Sequence, residues 1–366
     1  MREFLQSLLS EKPDSEPTVA EANPAVSNLR VQQPPDASYG VDCGISAFES
    51  LSICEFLVCS SGLPTARQAT SLPQDQMMKP LLLTLSMVTT FIIVGCRTEI
   101  ERAVASGDAD ALLIALGKNG EDYEKDKNGN VISISVYLSP AEAQVTDEVL
   151  AIFGGFTHLK DLNLGRATIS DAGLEYLRDL HSLETLTILG DYMDGTKITD
   201  QGLKPLGGLH RLKSLHIESN KITDKGLAHL KGLTELEALS FPSSQITGTG
   251  ISELLGMKKL SVLHLYDSKF SDAGVKHLAK LENLVFLSLR DTRVSGIGFD
   301  CLANLTQLVS IDLGNNEISG AGIADLKKLT NLGSLDLTFT QLTPSDIIEL
   351  KTALPDCRIK SEHKIP

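Results

Sequence analysis

From Thr157 to about Leu354 the chain repeats itself every 24 residues, and no other feature limits its fold so strongly. The clearest copy, residues 210–233, reads HRLKSLHIESNKITDKGLAHLKGL and carries apolar residues at unit positions 3, 6, 8, 13, 18, 21 and 24. The same frame restarts at Thr234, Lys258, Glu282, Thr306 and Thr330. A period of this length predicts a solenoid in which each unit forms one coil. No coil buries its leucines alone, so the core exists only between stacked neighbours. The chain has 366 residues and is 42% hydrophobic, ample for one elongated domain with appendages.

Within a unit, Leu215 and Ile217 alternate with Ser214, His216 and Glu218, which predicts a short strand buried on one face. A polar residue at position 11 follows in each copy: Asn220, Ser244, Ser268, Thr292, Asn316 and Thr340. Its side chain is expected to bond backbone where the ladder of strand hydrogen bonds stops. Next, a motif of the form I-[ST]-D-x-G-L predicts a short helix. Ser170, Thr199, Thr223 and Ser271 stand as its N-caps, and Asp171, Asp200, Asp224 and Asp272 place negative charge in its first turn. Leu227, Leu230 and Leu233 bury that helix against the strands. Helices are wider than strands, so the stack is expected to curve with a parallel sheet on the concave face and helices on the convex face.

These residues carry a resemblance. The run L-x-x-L-x-L-x-x-[NST]-x-I-[ST]-D-x-G-L resembles leucine-rich repeats, and its ITDxGL half looks like bacterial arrays and the substrate-binding repeats of F-box proteins. The likeness covers eight units over residues 157–354. It implies an α/β leucine-rich-repeat solenoid that binds a macromolecule on a long rigid surface. Departures are Gly248, Gly296 and Gly320 in place of the first Asp, Asp346 in place of the usual Gly, and five residues, Asp191 to Gly195, added to the unit at 181–209.

Flanking segments read differently. Residues 131–156 look like a degenerate repeat, because VTDEVLAIFGGF matches the second half of a unit. Residues 97–130 are expected to cap the first coil with a helix from Thr98 to Leu116 and a hairpin turning at Asn128-Gly129. Residues 355–366 begin one more strand and form a C-terminal cap or tail.

Further upstream, MKPLLLTLSMVTTFIIVGC sets Lys79 before an apolar run, Leu81 to Val94, that is too short for a comfortable membrane span and fits a signal-peptide core. Its ending, Ile93-Val94-Gly95-Cys96, resembles the lipobox of bacterial lipoproteins, which implies lipid attachment at Cys96 and an extracytoplasmic, membrane-anchored protein of the cell envelope. Such a signal acts at an N-terminus. Translation is therefore expected to start at Met77 or Met78, with residues 1–76, which lack periodicity, a disordered or untranslated extension.

A formal charge of -14 argues against nucleic acid as a partner. The six cysteines show no zinc-type spacing, and Cys301 and Cys357 read as small core residues too far apart for a disulfide. Gly248-x-Gly250 and Gly296-x-Gly298 align with Asp272-x-Gly274, so the repeat explains them without a phosphate loop. His216 and His264 lie two periods apart in one column, roughly 10 Å by strand spacing, too far to share a metal. No enzyme, metal or small-molecule cofactor is expected.

What remains is the concave sheet. Its ends are small and polar or acidic, whereas His216, Glu218, Val262, His264, Tyr266, Phe286 and Arg290 gather aromatic and charged groups in the middle. These seven are the candidate contacts for a protein partner, with Tyr192 and Met193 of the insertion as a second candidate at the rim. Two other readings stay open: a structural spacer of the envelope, and a cytosolic substrate adaptor of the F-box type if translation starts at Met1.

Overall fold

The computed structural model describes residues 109–118, 122–137, 145–190 and 195–362. The expectations for residues 1–76, for the signal segment 77–96 with Cys96, for the start of the first helix and for Tyr192 and Met193 lie outside the described residues.

Among the described residues eleven strands form one sheet in strict chain order. They are β1 (Asp122–Lys125), β2 (Val131–Tyr137), β3 (Asp161–Ala167), β4 (Thr185–Gly190), β5 (Ser214–Ile217) and β6 (Ala238–Ser240). The second half is β7 (Val262–His264), β8 (Phe286–Ser288), β9 (Ser310–Asp312), β10 (Ser334–Asp336) and β11 (Arg358–Lys360). β1 and β2 form an antiparallel hairpin turning at Gly129, whose φ of 86° only glycine adopts readily. Every later pairing is parallel. Register follows the period without slipping from β5 onward, so Leu215, Leu239, Leu263, Leu287, Ile311, Leu335 and Ile359 form one row.

The seven apolar positions of the clearest unit, Leu212, Leu215, Ile217, Ile222, Leu227, Leu230 and Leu233, are all at most 1% exposed. Their rows continue through the neighbouring coils as a single core, as nearest-neighbour stacking requires. The return segments differ in detail from a plain α-helix. In this unit one α turn, Asp224–Leu227, passes into a 3-10 turn, Ala228–Leu230, and other units use 3-10 helix alone, as at Thr249–Leu254 and Phe299–Asn304. Leu227, Leu230 and Leu233 recur every three residues, a spacing that a 3-10 turn keeps on one face, although Asp272–Leu278 and Gly320–Leu326 hold the same spacing in α-helix.

Polar residues tie one coil to the next. Asp147, Asp171, Asp200, Asp224 and Asp272 each accept from the backbone amide and the hydroxyl of the Ser or Thr that precedes the same motif position in the following coil, at 2.5–3.0 Å. These carboxylates therefore serve a neighbour as well as their own helix. The glycine of the motif makes room for them, since a Cβ on Gly173, Gly202 or Gly226 would lie 2.2–2.7 Å from the preceding coil's carboxylate oxygen. Where Gly replaces Asp, backbone meets backbone instead: a Cβ on Gly274 would lie 2.8 Å from the Gly248 Cα, and one on Gly296 2.8 Å from the Gly322 Cα.

Two local expectations are corrected. Ser170, Thr199 and Thr223 cap with their side chains, but Ser271 makes no capping hydrogen bond, and the unit before it has Gly248 where an Asp would have held its hydroxyl. In the third unit the buried polar turn residue is Ser219, whose hydroxyl donates to the Ile198 carbonyl at 2.7 Å, while Asn220 is exposed. Position 10 takes a left-handed φ of 51–58° at Arg166, Ser243, Asp267, Asp291, Asn315 and Phe339, but not in the second unit, which holds the five-residue insertion, or in the third, which follows it. Asp346, which breaks the DxG rule, completes a capping box with Thr343.

Candidate binding face of the sheet

Side chains at the first, third and fifth strand positions stand on the face opposite the leucine rows. The registers Ser214↔Ala238↔Val262↔Phe286 and His216↔Ser240↔His264↔Ser288 set the candidate residues in two adjacent columns. Glu218, Pro242, Tyr266 and Arg290 continue the same face one step further along each chain. Val262, Phe286, Tyr266, His264 and Glu218 are half-buried, and His216 is buried at 6% exposed. His216 therefore shows a partner little surface in this arrangement.

Burial dominates the electrostatics here. It pushes both imidazoles down to about 4, with mutual repulsion adding to the effect at His216, so the two are neutral near pH 7. Burial raises the Glu218 carboxyl above its ordinary value; the Gly190 amide, donating at 3.2 Å, opposes this, and Asp267 reinforces it. Burial, with Glu218 and Asp267 nearby, pushes the Tyr266 phenol up to about 12. The Glu218 backbone carbonyl also accepts from the hydroxyl of Thr196, the residue that follows the insertion, at 2.7 Å.

Arg290 stands apart from the rest. Its guanidinium crosses Gly314, where a Cβ would lie 2.2 Å from Nη1, and donates to the Thr338 hydroxyl at 3.2 Å. It also lies 3.8 Å from the Asp312 carboxylate and 6.0 Å from the Phe339 ring centre. The structure thus groups Arg290 with the C-terminal coils and leaves His216, Glu218, Val262, His264, Tyr266 and Phe286 together. Sequence reasoning missed Phe339, 60% exposed at a left-handed turn position, and gave Ser240 and Pro242 no role although both are buried between candidate residues.

Cys301 and Cys357 are free and half-buried against the core, not enclosed in it. Burial raises both thiols, Cys357 to about 11. Among the described residues no cluster of three or more His, Cys, Asp or Glu is placed to hold a metal ion.

A sequence profile described as "Leucine Rich repeat" matches residues 157–177 and 209–230. The fold is a leucine-rich-repeat solenoid. Among curated proteins none is similar enough to match. Solved structures similar to this chain include an internalin of Listeria monocytogenes, 23% identical, over 59% of this chain and 71% of that one. A leucine-rich-repeat protein of Leptospira interrogans is 22% identical, over 60% and 58%. Internalin C2 of Listeria monocytogenes is 21% identical, over 70% and 92%. All three have a TM-score of 0.43.

Proposed function

We propose that this chain is a non-enzymatic, extracytoplasmic, lipid-anchored scaffold that binds another protein on the middle of its concave sheet. Leucine-rich-repeat chains act in general as protein-binding scaffolds. The observation that carries the reading is the pairing of Val262 and Phe286, only half-buried, on adjacent strands beside Tyr266. The core beneath them is already filled by the leucine rows, so these apolar groups add nothing to it and gain nothing from water. Aromatic side chains in such a position are the residue type that most often dominates a protein contact. The anchor rests on the sequence alone, on the apolar run that ends in Gly95-Cys96.

One preparation from the native host tests both parts. Palmitate labelling of the wild type and its absence in Cys96→Ser are expected, together with an envelope protein that co-purifies with the wild type and is lost from a Tyr266→Ala, Phe286→Ala double variant of normal stability. An unlabelled chain would overturn the anchor. A protein profile unchanged by the double variant would overturn the binding face and favour an envelope spacer.

A further inference from the structure

β6 is the low strand of the concave face. Its outward residues Ala238 and Ser240, and Pro242 just beyond, are small, while β5 and β7 on either side carry His216 and Glu218, and His264 and Tyr266. The two imidazoles flank one hydroxyl in register. His216 Nε2 and Ser240 Oγ are nevertheless both buried without a hydrogen-bond partner, an unfavourable state for a polar group. Glu218 beside them takes a single amide, that of Gly190, and none of the described lysines or arginines forms an ion pair with it.

We propose that this trough receives a guanidinium group from a basic segment of the protein partner, with Glu218 as its counter-charge and His216, Ser240 and Tyr266 as neutral acceptors. The proposal deepens the binding reading above and rests on it. Every polar group named can accept a hydrogen bond, and only one of them carries charge. A neutral imidazole accepts at its unprotonated nitrogen, and the hydroxyl oxygens of Ser240 and Tyr266 accept while keeping their protons. Three neutral acceptors beside one negative charge match a planar cation with five N–H donors better than they match an anion or an amide. Val262 and Phe286, in register beside His264 and Ser288, offer an apolar shelf for the arginine stem and ring faces for its cation. His216 and Ser240 are buried, so entry requires the His216 side chain to rotate outward, and the entering donors then meet the two orphaned atoms. The excess of acidic over basic residues, which persists beyond Cys96, favours encounter with a basic partner over long range.

Random heptapeptides displayed on phage and selected against the full chain provide the test. The expected pool is enriched in arginine beside an apolar residue. Its binders weaken roughly tenfold or more on Glu218→Gln, which keeps the bond from the Gly190 amide, and fail on Phe286→Ala. Citrulline in place of arginine is expected to abolish binding. A pool of neutral or acidic peptides that still depends on Phe286, or binding unchanged by citrulline or by Glu218→Gln, would overturn the guanidinium assignment and leave the concave face standing. A pool whose binding none of these changes alters would overturn both.

Discussion

A histidine is judged by its neighbours more than by its position in a motif. His216 stands on the face that the period turns away from the core, yet adjacent strands cover it and hold it neutral with a value of about 4. Its folded pKa lies below the ordinary value near 6.5, so the unfolded chain binds the proton first. The stability gained from the neutral imidazole is complete above about pH 6.5, declines as the pH falls toward about 4, and changes no further below that. His264 acts in the same window and with the same sign. The urea midpoint is therefore expected to drop between pH 7 and pH 4, and His216→Gln is expected to flatten that slope. Equal slopes for wild type and variant would contradict the buried neutral state.

At the scale of the element, the edge where helices begin is held by carboxylates that reach forward by one coil. Asp224 is the fullest case, accepting from the Thr247 hydroxyl and from the amides of Thr247, Gly248 and Gly250. Burial works to raise its pKa, and these donors together outweigh burial and hold it below the ordinary carboxylate range. Because the folded value is depressed, this stability is present above the ordinary range and is lost as the pH falls through it, below the histidine window. Asp224→Asn sets an amide NH2 against N–H and O–H donors. It is expected to cost about 1–3 kcal/mol, read as a shift in the urea midpoint at pH 7, and more than Asp272→Asn, whose carboxylate holds only the Ser295 amide and hydroxyl.

None of this was legible from one unit read alone. The leucine rows and the Gly129 turn were, because periodicity and turn chemistry act within a few residues. The aspartates read as dipole partners of their own helices, since their hydrogen-bond partners lie 23–28 residues further on. Arg290 read as a free contact because the Gly314 gap and the Thr338 hydroxyl that engage it belong to two later coils. Contacts between coils are set by pairs of residues a period or more apart, and a single copy of the repeat cannot display them.

Across the whole molecule the stack is a chain of nearest-neighbour interfaces, so a coil can leave if its neighbours still fit. Excising residues 234–257 removes one full period and with it β6. It brings Asp224 opposite Ser271 and Gly274, the hydroxyl and glycine that this carboxylate meets elsewhere. The shortened chain is expected to fold with an unchanged far-ultraviolet circular dichroism spectrum per residue and to lose the concave trough. Loss of cooperative unfolding in this variant would show that the coils are not interchangeable.

The forward-reaching aspartates also bear on how such a chain can lengthen or shorten over generations. A duplicated block survives at no cost only if its last carboxylate still meets a hydroxyl and a glycine at the new seam. Asp-type coils join freely to one another. A coil begun by Gly248 or Gly296 instead needs a close-packed glycine after it, which Gly274 and Gly322 supply. Heredity can therefore cut this protein at many places but can splice it cleanly at few, and the seams are set by which of two small residues opens the coil.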